Sequence, residues 1–284
     1  MTDFSQDRAN FCYRHPDRQS FILCQRCGRT ICTECQTPAA VGVHCPECVR
    51  EQRAQFSSNR RTVGPSTFTV ARRRFGMIDQ KATTVIVVVS VAIWLLQMLT
   101  GGTNGPVTAA LDYNPYWLPT QPWRLITTMF VHGSFLHILF NMWAVWIFGR
   151  MLEQMLGTWR FVALYFISGL VGSVAVTVLA PQTTVIGASG AIFGLFAVFF
   201  VLQRSLGGNA VQILVIIGLN LVIGFLVAGV AWQAHVGGVV AGFVTGFIFT
   251  RTRSVRRRGL QITLLVAEAV VAVAIAAAAY AVYT

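Results

Sequence analysis

Residues 186–202 read IGASGAIFGLFAVFFVL and residues 233–250 read QAHVGGVVAGFVTGFIFT. Neither run holds an Asp, Glu, Lys or Arg, and both approach the length of a membrane crossing. Each also carries near its start a polar residue, Ser189 or His235, of a kind that is costly inside hydrocarbon. Small residues follow at every fourth position, Gly190 and Gly194 in one run and Gly238, Gly242 and Gly246 in the other, a spacing that lets two helix backbones approach closely. Further apolar runs lie at about 82–99, 126–149, 160–180, 210–229 and 260–283. The expected fold is therefore an all-α polytopic membrane protein with seven spans. The run at 186–202 is marginal in length, so a six-helix count stays open.

Composition agrees. The 284 residues are 55% hydrophobic and only 11% charged, with a mean hydropathy of +0.61, which argues against a soluble single-domain enzyme. The net charge of +12 comes almost wholly from arginine. If the N-terminus is cytoplasmic, the inner loops collect sixteen basic residues and the outer side one, Arg124, a positive-inside signal that puts the C-terminus outside. The same asymmetry explains the basicity without nucleic acid as a partner. The N-terminal MTDFSQDRANF has no apolar core of the kind a secretory signal needs.

Counting from the arginine that ends each helix, His137 lies 13 residues from Arg150, Ser189 15 from Arg204 and His235 16 from Arg251. At about 1.5 Å per residue these are heights of roughly 20, 22 and 24 Å in a core about 30 Å thick. The three share one level, roughly 6–10 Å below the outer face. A serine nucleophile needs a base, and none of Asp112, Glu153 or Glu268 lies at that depth. The available machinery is a Ser–His dyad without a carboxylate. His137 and Asn141, one helical turn apart, and the Ser189 amide near its helix start offer donors for an oxyanion.

The stretches HGSFLHILFN at 132–141, GASG at 187–190, AHVGGVVAG at 234–242 and the pair Trp123-Arg124 resemble the rhomboid intramembrane serine proteases over about 82–250. That resemblance implies a six-helix catalytic bundle, here with one further C-terminal helix at about 260–283. It implies Ser189 as nucleophile and His235 as general base, with His137, Asn141 and the Ser189 amide as the oxyanion hole. Gly187 falls in a loop that shapes the site, His132 supports it, and Trp123 and Arg124 match a structural first-loop motif. Glu153, with Gly157 four residues on, resembles an inner-end motif in which the carboxylate caps or bonds a loop. Phe193 stands where many bacterial members carry a tyrosine that packs on the catalytic histidine. Glu268, in the added helix, is a membrane carboxylate whose role the sequence leaves open.

The first 50 residues differ in kind. They hold all seven cysteines, and Cys12, His15, Cys24, Cys27, Cys32, Cys35, Cys45 and Cys48 fall in four pairs, each with two residues between its members. Eight ligands suffice for two closed structural Zn²⁺ sites. An odd number of cysteines and the expected reducing compartment argue against a disulfide framework. The pattern resembles B-box zinc fingers, whose cross-brace implies Cys12/His15 with Cys32/Cys35 and Cys24/Cys27 with Cys45/Cys48, His44 being an alternative last ligand. Residues 51–81 read as a basic linker, its Arg72-Arg73-Arg74 cluster suited to anionic lipid, and residues 82–284 as the transmembrane domain.

The reading is thus an endopeptidase of a bacterial plasma membrane that cuts transmembrane segments near the outer face. It needs no cofactor for catalysis, and its zinc head is suited to a cytoplasmic protein partner. A non-catalytic rhomboid-like chaperone for transmembrane clients is the alternative.

Overall fold

The computed structural model describes residues 10–39, 42–52, 54, 80–227 and 229–283. The chain divides into two units, Met1–Met77 and Ile78–Thr284. Most of the basic linker, including the Arg72–Arg74 cluster, lies outside the described residues.

The first unit is built from turns. Two isolated bridges (Phe11 with Gln19, Leu23 with Thr30), a two-residue hairpin of β1 (Thr37–Pro38) and β2 (Val43–His44), and a short helix at 46–52 surround the cysteines. Its buried apolar centre consists of six cysteines and Ile31, flanked by Tyr13 and Val43. So small a core supplies little burial on folding.

Among the described residues the second unit is a bundle of seven apolar helices: α1 (Lys81–Leu99), α2 (Phe135–Leu156), α3 (Thr158–Leu179), α4 (Ser189–Ser205), α5 (Val211–Leu226), α6 (Trp232–Arg251) and α7 (Arg258–Tyr283). Five are long and apolar enough to span a bilayer, whereas α4 and α5 have 17 and 16 residues. At 1.5 Å per residue these two reach only about 24–26 Å. The protein is an integral membrane protein with a central layer of α3, α4 and α6 in extensive mutual contact, α1 and α2 on one side and α7 against α3. α5 joins α4 and α6 more lightly.

Glycine makes the centre close-packed. A Cβ on Gly238 would collide with the backbone carbonyl of Gly190, and one on Gly242 with that of Gly194. A Cβ on Gly172 of α3 would lie 3.0 Å from the Ala234 carbonyl oxygen of α6. Backbone therefore touches backbone at these crossings, as the four-residue spacing suggested.

One expected span is displaced. The apolar run at 126–149 predicts a single helix, but α2 starts at Phe135, where the Ser134 hydroxyl caps it by accepting the His137 N–H at 3.1 Å. Residues 124–130 instead form short helical turns in the connection from α1. Their apolar side chains are buried by tertiary packing rather than by lipid: Leu125 and Met129 are enclosed, and the Thr128 hydroxyl donates to the Val185 carbonyl at 2.6 Å.

Candidate functional site

The N-terminal ends of α2, α4 and α6 meet at one end of the bundle. Ser189 is the first residue of α4 and His235 the fourth of α6, and their side chains are in contact, Ser189 Oγ to His235 Nε2 at 2.9 Å. With the hydroxyl donating, Nε2 accepts and the imidazole carries its proton on Nδ1. That Nδ1 is buried and has no hydrogen-bond partner among the described residues, so no carboxylate orients the ring. Phe193 does so by stacking, with ring centroids 4.2 Å apart and planes inclined by 16°. A flat apolar ring fixes the imidazole plane but supplies no hydrogen bond.

The Ser189–His235 pair opens into a cavity of about 790 Å³ whose lining includes His137, Asn141, Gly187, Ser189, Trp232 and His235. The His137 Nδ1 accepts the backbone N–H of Gly133 at 3.3 Å, which puts the ring proton on Nε2. That nitrogen lies against Gly187, where a Cβ would stand 2.6 Å from it. Gly187 also has φ +119°, a backbone conformation that glycine alone adopts readily. Asn141 donates one amide hydrogen to the His137 carbonyl at 2.8 Å. Among the described residues its second amide hydrogen meets no acceptor, and its Oδ1 is buried without a partner. The Ser189 N–H heads its helix, with no preceding turn to bond.

The other sequence-predicted residues surround this centre rather than enter it. His132 is fully buried, held by Gln97 on both its N–H and its carbonyl, with its ring edge-on to His137 at 5.1 Å. Arg124 is a buried clasp: it donates to the Asp112 carboxylate and carbonyl at 2.6 and 2.9 Å, to the Ala109 carbonyl at 2.6 Å and to Gln121 at 2.6 Å. Trp123 is exposed and precedes the short helix Arg124–Thr127. Glu153 lies at the opposite end, accepting from the Ala82 and Thr83 amides and from the Thr83 and Thr158 hydroxyls at 2.7–3.2 Å. A buried carboxylate across the start of α1 satisfies amides that a helix end leaves unpaired. Glu268 accepts from the Thr245 hydroxyl of α6 at 3.0 Å. Gly133 and Ser134, which set the His137 ring and start α2, are not intramembrane polar residues of the kind that marks the rest of the site; a serine just before an apolar run is the signal for the helix start.

A family model of the rhomboid domain matches residues 119–252. YdcA of Bacillus subtilis (strain 168) is 36% identical over 140 residues, which cover 47% of this chain and 70% of YdcA. The chain belongs to the rhomboid family. Rhomboid protease GluP of the same organism is 35% identical over 62% of this chain and 36% of its own length. The mitochondrial RHOMBOID-like protein 6 of Arabidopsis thaliana is 37% identical over 49% and 47%. The rhomboid chain thus spans under half of the second and third of these relatives.

In the first unit, Cys12, His15, Cys32 and Cys35 form one group and Cys24, Cys27, Cys45 and Cys48 another, each with its ligand atoms within 4.8 Å of one another. His44 belongs to neither. The His15 Nδ1 lies 3.3, 3.5 and 3.8 Å from the sulfurs of Cys32, Cys35 and Cys12, and the Cys27 and Cys45 sulfurs are 3.7 Å apart. A tetrahedron with metal–sulfur bonds of about 2.3 Å and metal–nitrogen bonds of about 2.05 Å has edges of about 3.8 Å (S···S) and 3.6 Å (S···N). The donors thus have the spacing of ligands around one ion and are too far apart for disulfides. Burial raises the Cys12 and Cys24 thiols, but backbone N–H donors led by those of Cys32 and Cys45 outweigh it and lower each to about 6. Burial, followed by the neighbouring Cys12 and Cys32, pushes the Cys35 thiol up to about 11. Three thiols with an imidazole, or four thiols, this close gain from sharing a cation when deprotonated, so both groups are fitted to hold a metal ion.

Proposed function

We propose that this rhomboid protein is an intramembrane serine endopeptidase that cleaves transmembrane segments of other membrane proteins. The supporting observation is the 2.9 Å Ser189–His235 contact on the wall of a cavity rather than within closed packing. Attack of Ser189 Oγ on a scissile carbonyl transfers the hydroxyl proton to His235 Nε2 and forms a tetrahedral oxyanion. His137 Nε2–H, the Ser189 amide and the free Asn141 amide hydrogen receive that charge. Collapse breaks the C–N bond, and His235 returns the proton to the departing amine. Water then enters and gives a proton to His235 as its oxygen bonds to the acyl carbon; collapse breaks the C–Oγ bond, releases the carboxylic acid and returns the proton from His235 to Ser189 Oγ. With no carboxylate behind it, His235 depends on Phe193 and on its helix backbone for orientation.

The arginine-rich end of the bundle is the cytoplasmic one in this reading, since positive charge collects on that side. The dyad then faces the outer side of a bacterial plasma membrane, the N-terminus is inside and the C-terminus outside. Water reaches the dyad through the cavity, and a substrate helix must unwind there to expose its carbonyls. Two Zn²⁺ ions suit the Cys₃His and Cys₄ groups, and the resulting cytoplasmic module serves to contact a protein partner. The test is reconstitution of the full chain with a transmembrane reporter and mapping of the cut by mass spectrometry. Cleavage within the outer third of the reporter span, absent in Ser189→Ala, is expected. A folded wild type that binds the reporter without cutting it points instead to a client-binding chaperone.

A further inference from the structure

A second cavity lies at the end of the bundle away from the dyad. It measures about 270 Å³ and is lined by Met155 and Leu156 from α2, Arg160 from α3, Leu202 and Leu206 at the end of α4, Phe249 and Arg253 at the end of α6, and Gln261 from α7. Gln261 is fully buried and holds the base of the site. Its carbonyl accepts Arg160 Nε at 2.7 Å, and its amide donates to the Thr252 hydroxyl at 2.6 Å. Arg160 also gives Nη1 to the Leu156 carbonyl, and Arg253 gives Nη2 to the Ser205 hydroxyl. Among the described residues, Arg160 Nη2 and Arg253 Nε and Nη1 have no partner, and neither guanidinium meets a carboxylate. Arg258 adds a third positive charge, with Arg258 and Arg160 both lying over the Trp159 ring, at 5.7 and 4.7 Å.

The helix C-termini explain part of this charge, because cations settle against unpaired carbonyls. They do not explain why two arginines with spare donors line a recess whose other walls are leucine, methionine and phenylalanine. Guanidinium forks match phosphate oxygens, and the apolar walls match hydrocarbon. We propose that this recess binds an anionic phospholipid, its phosphate between Arg160 and Arg253 and its glycerol and acyl segments along Leu156, Leu202, Leu206 and Phe249. Basic pockets between membrane helices are suited to such headgroups. Bound there, the lipid clamps α7 to α3, α4 and α6 through the Gln261 base. The site does not depend on the peptidase reading; only its assignment to the cytoplasmic leaflet rests on the proposed orientation.

The full chain in a neutral detergent is titrated with dioleoylphosphatidylglycerol, with dioleoylphosphatidylcholine and with inorganic phosphate, following bound lipid by native mass spectrometry and thermal unfolding. Wild type is expected to retain phosphatidylglycerol and to be stabilised by it alone. Arg253→Gln and Arg160→Gln should each weaken it about fivefold, the loss for one arginine near an anionic headgroup. Arg204→Gln, a basic change outside the recess, should leave it within twofold. Arg253 is exposed, so Arg253→Glu, expected to abolish the retained lipid while the protein stays folded, keeps the test valid if Arg160→Gln misfolds. Equal retention of phosphatidylcholine, unchanged affinity in the Arg253 variants, or equal stabilisation by phosphate alone would each overturn the proposal, the last by assigning the recess to a free anion.

Discussion

Gly238→Ala tests whether the dyad contact depends on how closely α4 and α6 approach. The added methyl would fall inside the van der Waals shell of the Gly190 carbonyl oxygen, the backbone of the residue following Ser189. Relief requires the two helices to part by more than about 1 Å, since a carbon–oxygen contact is comfortable only near 3.3–3.5 Å. Ser189 and His235 ride on those same helices, so their 2.9 Å contact should lengthen to about 4 Å, beyond hydrogen-bond reach. Overpacking of this kind costs about 1–3 kcal/mol of stability, and a displacement of about 1 Å at a reacting group costs on the order of 10²-fold in rate. Gly218→Ala in α5 is the control, because a Cβ there meets nothing within 4 Å and alanine gains up to about 1 kcal/mol of helix propensity. Reporter cleavage and detergent thermal unfolding of both variants decide the matter. A Gly238→Ala protein that cleaves at the wild-type rate and melts at the wild-type temperature would refute the reasoning.

Three further changes separate the parts of the site. Phe193→Ala removes the stacked ring and should lower kcat roughly 2- to 12-fold, the value of about 0.5–1.5 kcal/mol for an aromatic contact. Phe193→Tyr should retain most of the rate, and a pH profile distinguishes ring orientation from global damage. Glu153→Gln replaces a carboxylate that accepts four hydrogen bonds by a neutral amide that presents two of its own hydrogens to those donors. It should destabilise the bundle by about 1.5–3 kcal/mol without altering probe attachment to folded protein, as thermal unfolding and active-site labelling would show. For the head, elemental analysis of the full chain should return two zinc ions, and Cys24→Ser should lose one while the Cys12, His15, Cys32 and Cys35 group keeps the other; an unchanged zinc content would remove Cys24 from the ligands.

The sequence shows single site residues better than the contacts between them. Polar residues at one depth and glycines at every fourth position mark Ser189, His235 and their close helices, because both signals are local and periodic. The start of α2 is hidden in the apolar run at 126–149 because hydropathy does not distinguish an apolar side chain buried by a folded connection from one facing lipid. Leu125 and Met129 belong to the first kind, and the Ser134 cap was the local cue against the longer helix. The family resemblance put Phe193 where a ring packs on His235, as it does, but shared depth did not reveal that Gly133 sets the tautomer of His137, since that is a matter of backbone path. The arginine recess was hidden for a different reason. Arg160, Arg253 and Gln261 are about a hundred residues apart at the extremes, and each alone reads as an ordinary helix-end residue. Pair spacing in the head showed eight ligands, and the B-box resemblance implied the pairing that the fold shows, Cys12 and His15 with Cys32 and Cys35, and Cys24 and Cys27 with Cys45 and Cys48.

The most direct test of the central claim is fluorophosphonate labelling of the purified full-length protein, wild type beside Ser189→Ala and His235→Ala, with the modified residue located by peptide mass spectrometry. A Ser–His dyad predicts one covalent adduct per chain on Ser189, no adduct in Ser189→Ala, and labelling slowed by at least 10³-fold in His235→Ala, the order of effect of losing a paired base. Folded wild-type protein that takes no label, or that labels equally in all three forms, would contradict it.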